Sequence, residues 1–297
     1  MKCKCVAVIW AFNPDIELLR KVLQSVIKQV DYTVIVDNAS RNFRHIKNVC
    51  KNLGGKITLI RLNRNYGVRA LNVGMAYAIK KFNPIYILLL DDDTIVHPDA
   101  ISKVLNDIER MSIYERLGTV RLSFDDSIEK EGKIKSDKLG IFSGCIIKTE
   151  IIKKGVKIRE EFFLDQADYD FFERIRKQGF KTLVYGEKLV EHRPGISLGI
   201  PIKLPFIKKL ISIYEPPWRY YYIVRNSTIL LFEGKIEISF WMKQLIFFIV
   251  PLIFVDGIRV ALRALVIGLA HALLKRLGYL DPQRAGLLST RCKIRRG

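Results

Sequence analysis

The stretch YILLLDDDT, residues Tyr86 to Thr94, decides how this chain is read. A short, wholly apolar run of this kind is a strand buried on both faces, as the central strands of parallel sheets are. It runs straight into three carboxylates, Asp91, Asp92 and Asp93. Like charges crowded at the end of a buried strand repel one another unless something positive sits among them. A solvated acidic turn is the bland alternative. In open α/β sheets, however, ligands bind beyond the carboxyl ends of the strands, which is where these acids fall.

Working outward, the preceding residues alternate strand and helix. CVAVIWAF (Cys5 to Phe12) is a buried-strand run, broken by Asn13-Pro14-Asp15, which caps a helix carrying Leu19, Val22, Leu23, Val26 and Ile27 on one side. YTVIV (Tyr32 to Val36) is a second strand and ends on Asp37; Lys56 to Leu62 is a third, and Ala70 to Ala78 a helix. The alternation predicts an α/β domain with a mainly parallel sheet flanked by helices. Downstream, Asp125 to Lys138 reads as a charged surface hairpin or loop. Phe162 to Gly179 reads as one helix with acids early, basic residues late and a glycine stop. Lys181 to Tyr185 resumes a strand, and His192 follows it.

Composition narrows the partners. Hydrophobic residues make up 49% of the 297 and charged residues 27%, which supports a sizeable core. The 50 Lys+Arg against 30 Asp+Glu give +20, so an anionic partner is expected: nucleic acid, an anionic membrane surface or a diphosphate-bearing substrate. No nucleic-acid-reading motif or basic-aromatic interleaving stands out, so no nucleic-acid partner is expected. The five cysteines are odd in number and lack zinc spacing, and no signal-peptide pattern opens the chain. Both point to a cytoplasmic location.

The last part changes character. Phe240 to Val255 is strongly apolar, and Ile258 to Leu274 mixes Arg259, Arg263 and His271 with Leu, Val and Ala. Uncharged stretches here fall short of the roughly 20 residues that span a bilayer. From Ile258 onward, nine Lys/Arg face one acid, Asp281. The pattern suggests helices lying peripherally on the inner face of the cell membrane, with helices packed back on the domain as the alternative. The expected division is a catalytic domain over 1–230 and an appendage of apolar helices and basic tail over 231–297.

Carboxylates at alternate positions, such as Asp91 and Asp93, hold a hard divalent ion that also takes diphosphate oxygens. With this site the chain resembles the family-2 glycosyltransferases of GT-A fold, and within them the rhamnosyltransferase-type branch. The segments that carry the resemblance are VAVIWAFNPD from Val6, VDNAS from Val36, NRNYGVRALNVG from Asn63 and LLLDDDTIVHPDA from Leu88. Further along come EEFFLDQADYDFFERIRKQGFK from Glu160, EHRPG from Glu191 and WRYYYIVRN from Trp218. Together they span about residues 6 to 226 in family order.

The resemblance implies an inverting transfer of a sugar, rhamnose among the candidates, from a UDP- or dTDP-linked donor to an acceptor hydroxyl on a lipid-linked or polysaccharide glycan, with Mg²⁺ or Mn²⁺ as cofactor. It implies that Asp37 holds the base, that Asn65 and Gly67 form the loop beside the nucleotide, and that Asp91, with Asp92 beside it, sits near the ribose and diphosphate. Asp93 matches the metal ligand, with Asp91 close by and His192 completing the site in some members. Asp168 matches the catalytic base. Many members have Glu-Asp there, whereas this chain has Ala167-Asp168; the rhamnosyltransferase-like branch often carries an apolar residue at that place. Asp165, one helical turn away if the helix begins at Phe162, is the alternative base.

Arg225 and Asn226 are candidates for the phosphate or acceptor side, an ion pair elsewhere being the alternative for Arg225. Trp218 is a candidate sugar platform, or else core. Two other activities fit less well. A sugar-nucleotide nucleotidyltransferase shares sheet and acids, but a Gly-rich phosphate loop follows its first strand where this chain has Asn13-Pro14-Asp15. A dinucleotide-binding enzyme fails on the same ground.

Overall fold

The computed structural model describes residues 3–125, 134–137, 140–192, 196–204 and 207–289. Most of the charged stretch after Asp125, the Arg193-Pro194-Gly195 segment, and the basic tail with Cys292 lie outside the described residues. The chain forms two compact units: residues 1–159 with 171–192, and residues 160–170 with 193–297. The boundary at 230 expected from sequence does not coincide with this division.

In the first unit the elements run β1 (Cys5–Ala11), α1 (Ile16–Val26), β2 (Tyr32–Asp37), α2 (Phe43–Leu53), β3 (Ile57–Arg61), α3 (Arg69–Phe82) and β4 (Tyr86–Asp91). Then follow β5 (Ile95–Val96), α4 (Ala100–Glu109), β6 (Leu117–Ser123), β7 (Ile134–Ser136), β8 (Cys145–Lys148), α5 (Thr149–Lys153), most of α6 (Ala167–Lys177), β9 (Lys181–Lys188) and β10 (Val190–Glu191). The large sheet has the order β3-β2-β1-β4-β8-β6-β9-β7. The strands from β3 to β4 are all parallel, as the β-α-β pattern predicts, whereas β8 lies antiparallel to both β4 and β6. The sheet is therefore mixed, with its parallel half at the amino-terminal end of the sequence.

Local chemistry explains the parallel half. The Asp15 carboxylate accepts the Leu18 N–H at 3.0 Å and starts α1, whose Leu19, Val22, Leu23 and Val26 are buried. α3 lies so close to the sheet that a Cβ on Gly74 would come within 2.4 Å of the Val8 side chain. The register sets Asp37 opposite Ala11 and Asp91 opposite Trp10, so both strand-end acids emerge at the same edge of the sheet.

The second unit contains the antiparallel pair β11 (Ile196–Leu204) and β12 (Ile207–Tyr214), followed by α7 (Pro217–Phe232), α8 (Ile238–Asp256) and α9 (Ile258–Leu273). α7 is its centre, with Tyr220, Tyr221, Tyr222, Val224 and Leu230 buried. α9 packs on α7 through a face of small residues, Ala261, Ala264, Gly268 and Ala272, and a Cβ on Gly268 would meet Val224 at 2.8 Å. Counting uncharged residues makes the apolar stretch before it too short to span, because Lys243 and Pro251 interrupt it. The helix runs through both. α8 has 19 residues, an 18-residue window of it has a mean hydropathy of 2.0, and among the described residues it alone is long and apolar enough to cross a membrane.

Candidate active site

The carboxylates after β4 are held by a polar network that begins on neighbouring strands. The Asp91 N–H donates to Ser143 Oγ at 3.0 Å, and Ser143 Oγ lies 2.6 Å from Thr94 Oγ1. Thr94 Oγ1 in turn lies 2.9 Å from Nδ1 of His192. The Asp91 carboxylate accepts the indole N–H of Trp10, and Asp92 accepts the Phe12 N–H at 3.2 Å. His192 reaches this turn because β10 pairs antiparallel with β5, Val190 opposite Val96 and Glu191 opposite Ile95. The result is a cluster: Asp93 Oδ1 sits 3.3 Å from His192 Nδ1, and Asp91 Oδ2 4.0 Å from His192 Nε2. One ligand atom from each of Asp91, Asp93 and His192 falls within 4.8 Å of the others.

This donor set fits a divalent ion. It offers carboxylate oxygens and an imidazole nitrogen, suited to Mg²⁺ or Mn²⁺ and without the thiolates that select soft metals. Asp93 Oδ1 is buried and accepts no hydrogen bond, an orphaned anionic atom of the sort that a cation satisfies.

A second group gathers at the end of β2. The Asp37 side chain is fully buried; both its oxygens lie 3.2 Å from the Ser40 N–H, and Arg61 Nε is 3.8 Å from one of them. Asn38 ties this strand end to the loop before α3. Its amide donates to Gly67 O at 3.0 Å and its oxygen accepts the Tyr66 N–H at 2.9 Å. Asn65 Oδ1 accepts the Gly67 N–H at 2.8 Å, and Gly67 has φ +60°, which favours glycine. Arg64 and Arg69 both lie over the ring of Tyr66, at 4.6 and 5.0 Å from its centroid.

The second unit carries the remaining acids. Asp165 is not on a helix. After a single turn of 3-10 helix at Glu160–Phe162, the chain takes left-handed conformations at Phe163, Asp165 and Gln166, and α6 begins only at Ala167. The cause lies in α7. The Asn226 amide nitrogen is 3.0, 2.9 and 2.9 Å from the carbonyl oxygens of Phe162, Leu164 and Asp165, and Arg225 Nη2 donates to Phe162 O at 2.8 Å. Carbonyls engaged in this way do not accept the bonds that a helix over the same residues requires. Asp165 is ion-paired with Arg219 at 3.0 Å, and Arg219 also pairs with Glu215 at 3.0 Å. Burial raises the Asp165 carboxyl and Arg219 opposes it. Asp168, in the first turn of α6, accepts the Tyr169 N–H at 2.9 Å. Burial, with the Asp165 charge as a lesser cause, pushes its carboxyl up to about 7. Asp170 is fully buried against Lys235 at 2.6 Å.

The sequence pattern of the family described as Glycosyl transferase family 2 matches residues 6–144. Those residues are a family-2 glycosyltransferase domain. The chain is 27% identical over 268 residues to a dTDP-rhamnosyl transferase, RfbF, of Shigella flexneri, covering 83% of this chain and 86% of the relative. Among solved structures, a mannosyltransferase, PcManGT of Pyrobaculum calidifontis, in complex with GDP-Man and Mn2+, superposes with a TM-score of 0.53 at 12% identity, covering 96% of this chain and 78% of that one. S. aureus TarS 1-349 in complex with UDP superposes with a TM-score of 0.53 at 14% identity, covering 80% and 68%. This chain spans 59% of another TarS 1-349 structure and 41% of the TarS structure. The structural likeness is one of fold: a mixed, mostly parallel GT-A sheet flanked by helices.

In this glycosyltransferase the matched segment contains Asp37, Asn65, Gly67 and Asp91 to Asp93, while His192 joins the acids from outside it. Asp37, Asn65 and Gly67 meet through Asn38, and Asp91, Asp93 and His192 meet through Ser143 and Thr94. The sequence reading missed Asn38, Ser143, Thr94 and Trp10. Asn38 and Thr94 directly follow the strand-end acids, which is a usable signal, but nothing local marks Ser143. Arg225 and Asn226 depart from expectation. They are buried at 1% and 0% exposure and bind main-chain carbonyls, so they do not face a phosphate. Trp218 packs against the aromatic core of the second unit, the bland alternative for that residue. Asp165 and Asp168 are not neighbours on one helix, because the loop that Asn226 holds separates them.

Proposed function

We propose that this glycosyltransferase is an inverting, metal-dependent enzyme that moves a sugar, rhamnose or a related hexose, from a UDP- or dTDP-linked donor to a hydroxyl of a lipid-linked or polysaccharide glycan at the inner face of the cell membrane. The observation that carries the reading is the convergence of Asp91, Asp93 and His192 at the carboxyl end of β4. The dTDP-rhamnosyl transferase relative and the GDP-Man and Mn2+ complex of the mannosyltransferase support the donor class and the metal. Asp93, Asp91 and His192 hold the ion, which when bound offsets charge on the leaving nucleoside diphosphate. Asp37 accepts from the base, Asn65 and Gly67 line the nucleotide, and Asp91 with Asp92 serves the ribose and diphosphate. Asp168 takes the proton of the acceptor hydroxyl as its oxygen attacks the anomeric carbon and the nucleoside diphosphate departs. That single displacement inverts the centre without a protein nucleophile. Asp165, held by Arg219, lies on the acceptor side. The catalytic region extends to about residue 230, and 231–297 serves the membrane.

The test is a donor screen with UDP-, dTDP- and GDP-sugars, reading nucleotide release with Mg²⁺, with Mn²⁺ and with excess EDTA. Release from one donor class that stops in EDTA and returns with metal is expected; undiminished turnover in EDTA would overturn the metal assignment.

A further inference from the structure

The outer surface of the helical unit is strongly apolar. On α9, Ile258, Leu262 and Val266 stand one helical turn apart and are exposed, and exposed Leu273 continues the same side. The opposite side of α9 is the small-residue face that packs on α7, so the large apolar residues are those left outside. On α8, exposed Ile238, Met242 and Ile246 repeat the spacing of four. An exposed apolar stripe on each of two successive helices marks an interaction surface.

Charge identifies the partner. Between residues 238 and 289 stand six basic residues, Lys243, Arg259, Arg263, Lys275, Arg276 and Arg284, and all are exposed. Only two acids share this stretch. Asp256 is buried and accepts from Tyr214 and Ser289, both at 2.6 Å, and Asp281 is paired with Arg284. A second copy docked on this surface would face the same cations with almost no counter-charge, and interface centres are normally depleted in charge. An anionic bilayer supplies both the apolar phase and the negative charge.

We infer that α8 and α9 form a surface that enters one leaflet of an anionic membrane side-on, with the Ile258/Leu262/Val266 stripe immersed and Arg259 and Arg263 at the headgroups. The inference rests on the membrane-side acceptor proposed above and adds how the chain meets the membrane. Although α8 is long enough to cross, it lies in the plane. Its Gln244, Pro251, Leu252 and Asp256 are buried, and Asp256 at its end is hydrogen-bonded to residues of the same unit. Spanning would carry these groups, and Lys243, into hydrocarbon.

The experiment is co-sedimentation of the full chain with vesicles of phosphatidylglycerol and phosphatidylcholine in equal parts, and with phosphatidylcholine alone. Wild type is expected to pellet with the anionic vesicles. Leu262→Glu/Val266→Glu is expected to lose binding at least about tenfold at low and high salt, and Arg259→Glu/Arg263→Glu to lose it mainly at low salt. These side chains are exposed, so both variants should keep the wild-type melting temperature and donor hydrolysis, which separates failure here from failure of the proposed reaction. Wild type left in the supernatant with anionic vesicles would overturn the inference. So would a dimer in gel filtration that Leu262→Glu/Val266→Glu converts to monomer, since that outcome assigns the stripe to a second copy. Extraction of bound wild type by alkaline carbonate is expected, and resistance to it would instead show a spanning α8.

Discussion

Replacing Asp168 with Asn tests the proposed base through two measurements that move in opposite directions. Asn has the shape of the protonated acid and its oxygen can still accept the Tyr169 N–H. Burial raises the carboxyl from an ordinary 3.8 to about 7. The base works only when deprotonated, so kcat/KM of the wild type should rise about tenfold per pH unit below 7 and level off above it. In Asp168→Asn that acid limb should vanish and kcat should fall by about 10²–10⁴, with donor KM little changed. Stability moves the other way. Between pH 3.8 and about 7 the folded state holds a proton that the unfolded state has released, so this group costs stability progressively as pH rises through that window. The full difference corresponds to about 4 kcal/mol, and partial contact of Asp168 with water reduces it to about 1–3 kcal/mol. Asp168→Asn should therefore melt no lower than wild type at pH 8 and close to it at pH 4, measured by differential scanning fluorimetry across the range. An inactive variant that also melts lower at pH 8 would mark Asp168 as structural. Retained activity with an unchanged acid limb would refute the assignment outright, and the same signature in Asp165→Asn would transfer the role to Asp165.

Two further substitutions probe the supports of these groups. Asn226→Ala should leave the carbonyls of Leu164 and Asp165 without their side-chain donor, at about 1–3 kcal/mol each, while Phe162 O keeps Arg225, and should lower both the melting temperature and kcat while donor KM stays near wild type. Asn226→Asp, which sets an acceptor against three acceptors, should be at least as damaging; a neutral Asn226→Asp would show that the amide does not hold the loop. Asp93→Ala should weaken Mn²⁺ binding in the presence of UDP at least about tenfold, followed by electron paramagnetic resonance, because it removes the buried carboxylate oxygen that accepts no hydrogen bond. Equal Mn²⁺ affinity in Asp93→Ala and wild type would exclude Asp93 as a ligand.

What the sequence made legible follows from the range of the forces involved. β1, β2 and β4 are apolar on both faces, and β2 and β4 end on acids, a pattern that local composition states directly, so Asp37 and Asp91 fall where a ligand site is expected. The Asp15 cap and the buried face of α1 are equally local. The errors are all made at a distance. Phe162 to Gly179 has helical periodicity throughout, yet its first residues are bent into left-handed conformations because Asn226, some sixty residues later, takes their carbonyls. Nothing between Glu160 and Gln166 records that competition. Asn226 and Arg225 look like phosphate binders in isolation, and only the fold reveals that their hydrogen bonds point inward. The same reasoning explains α8. Read alone, Lys243 and Pro251 cut an apolar stretch short, but α8 runs through both, with Pro251 buried and Lys243 exposed. The residues that a bilayer would have to accommodate are decided by which side of α8 and α9 the rest of the unit covers. That is why a chain whose charge is obvious from composition shows its exposed apolar face only once Ala261, Ala264, Gly268 and Ala272 are seen to be packed on α7.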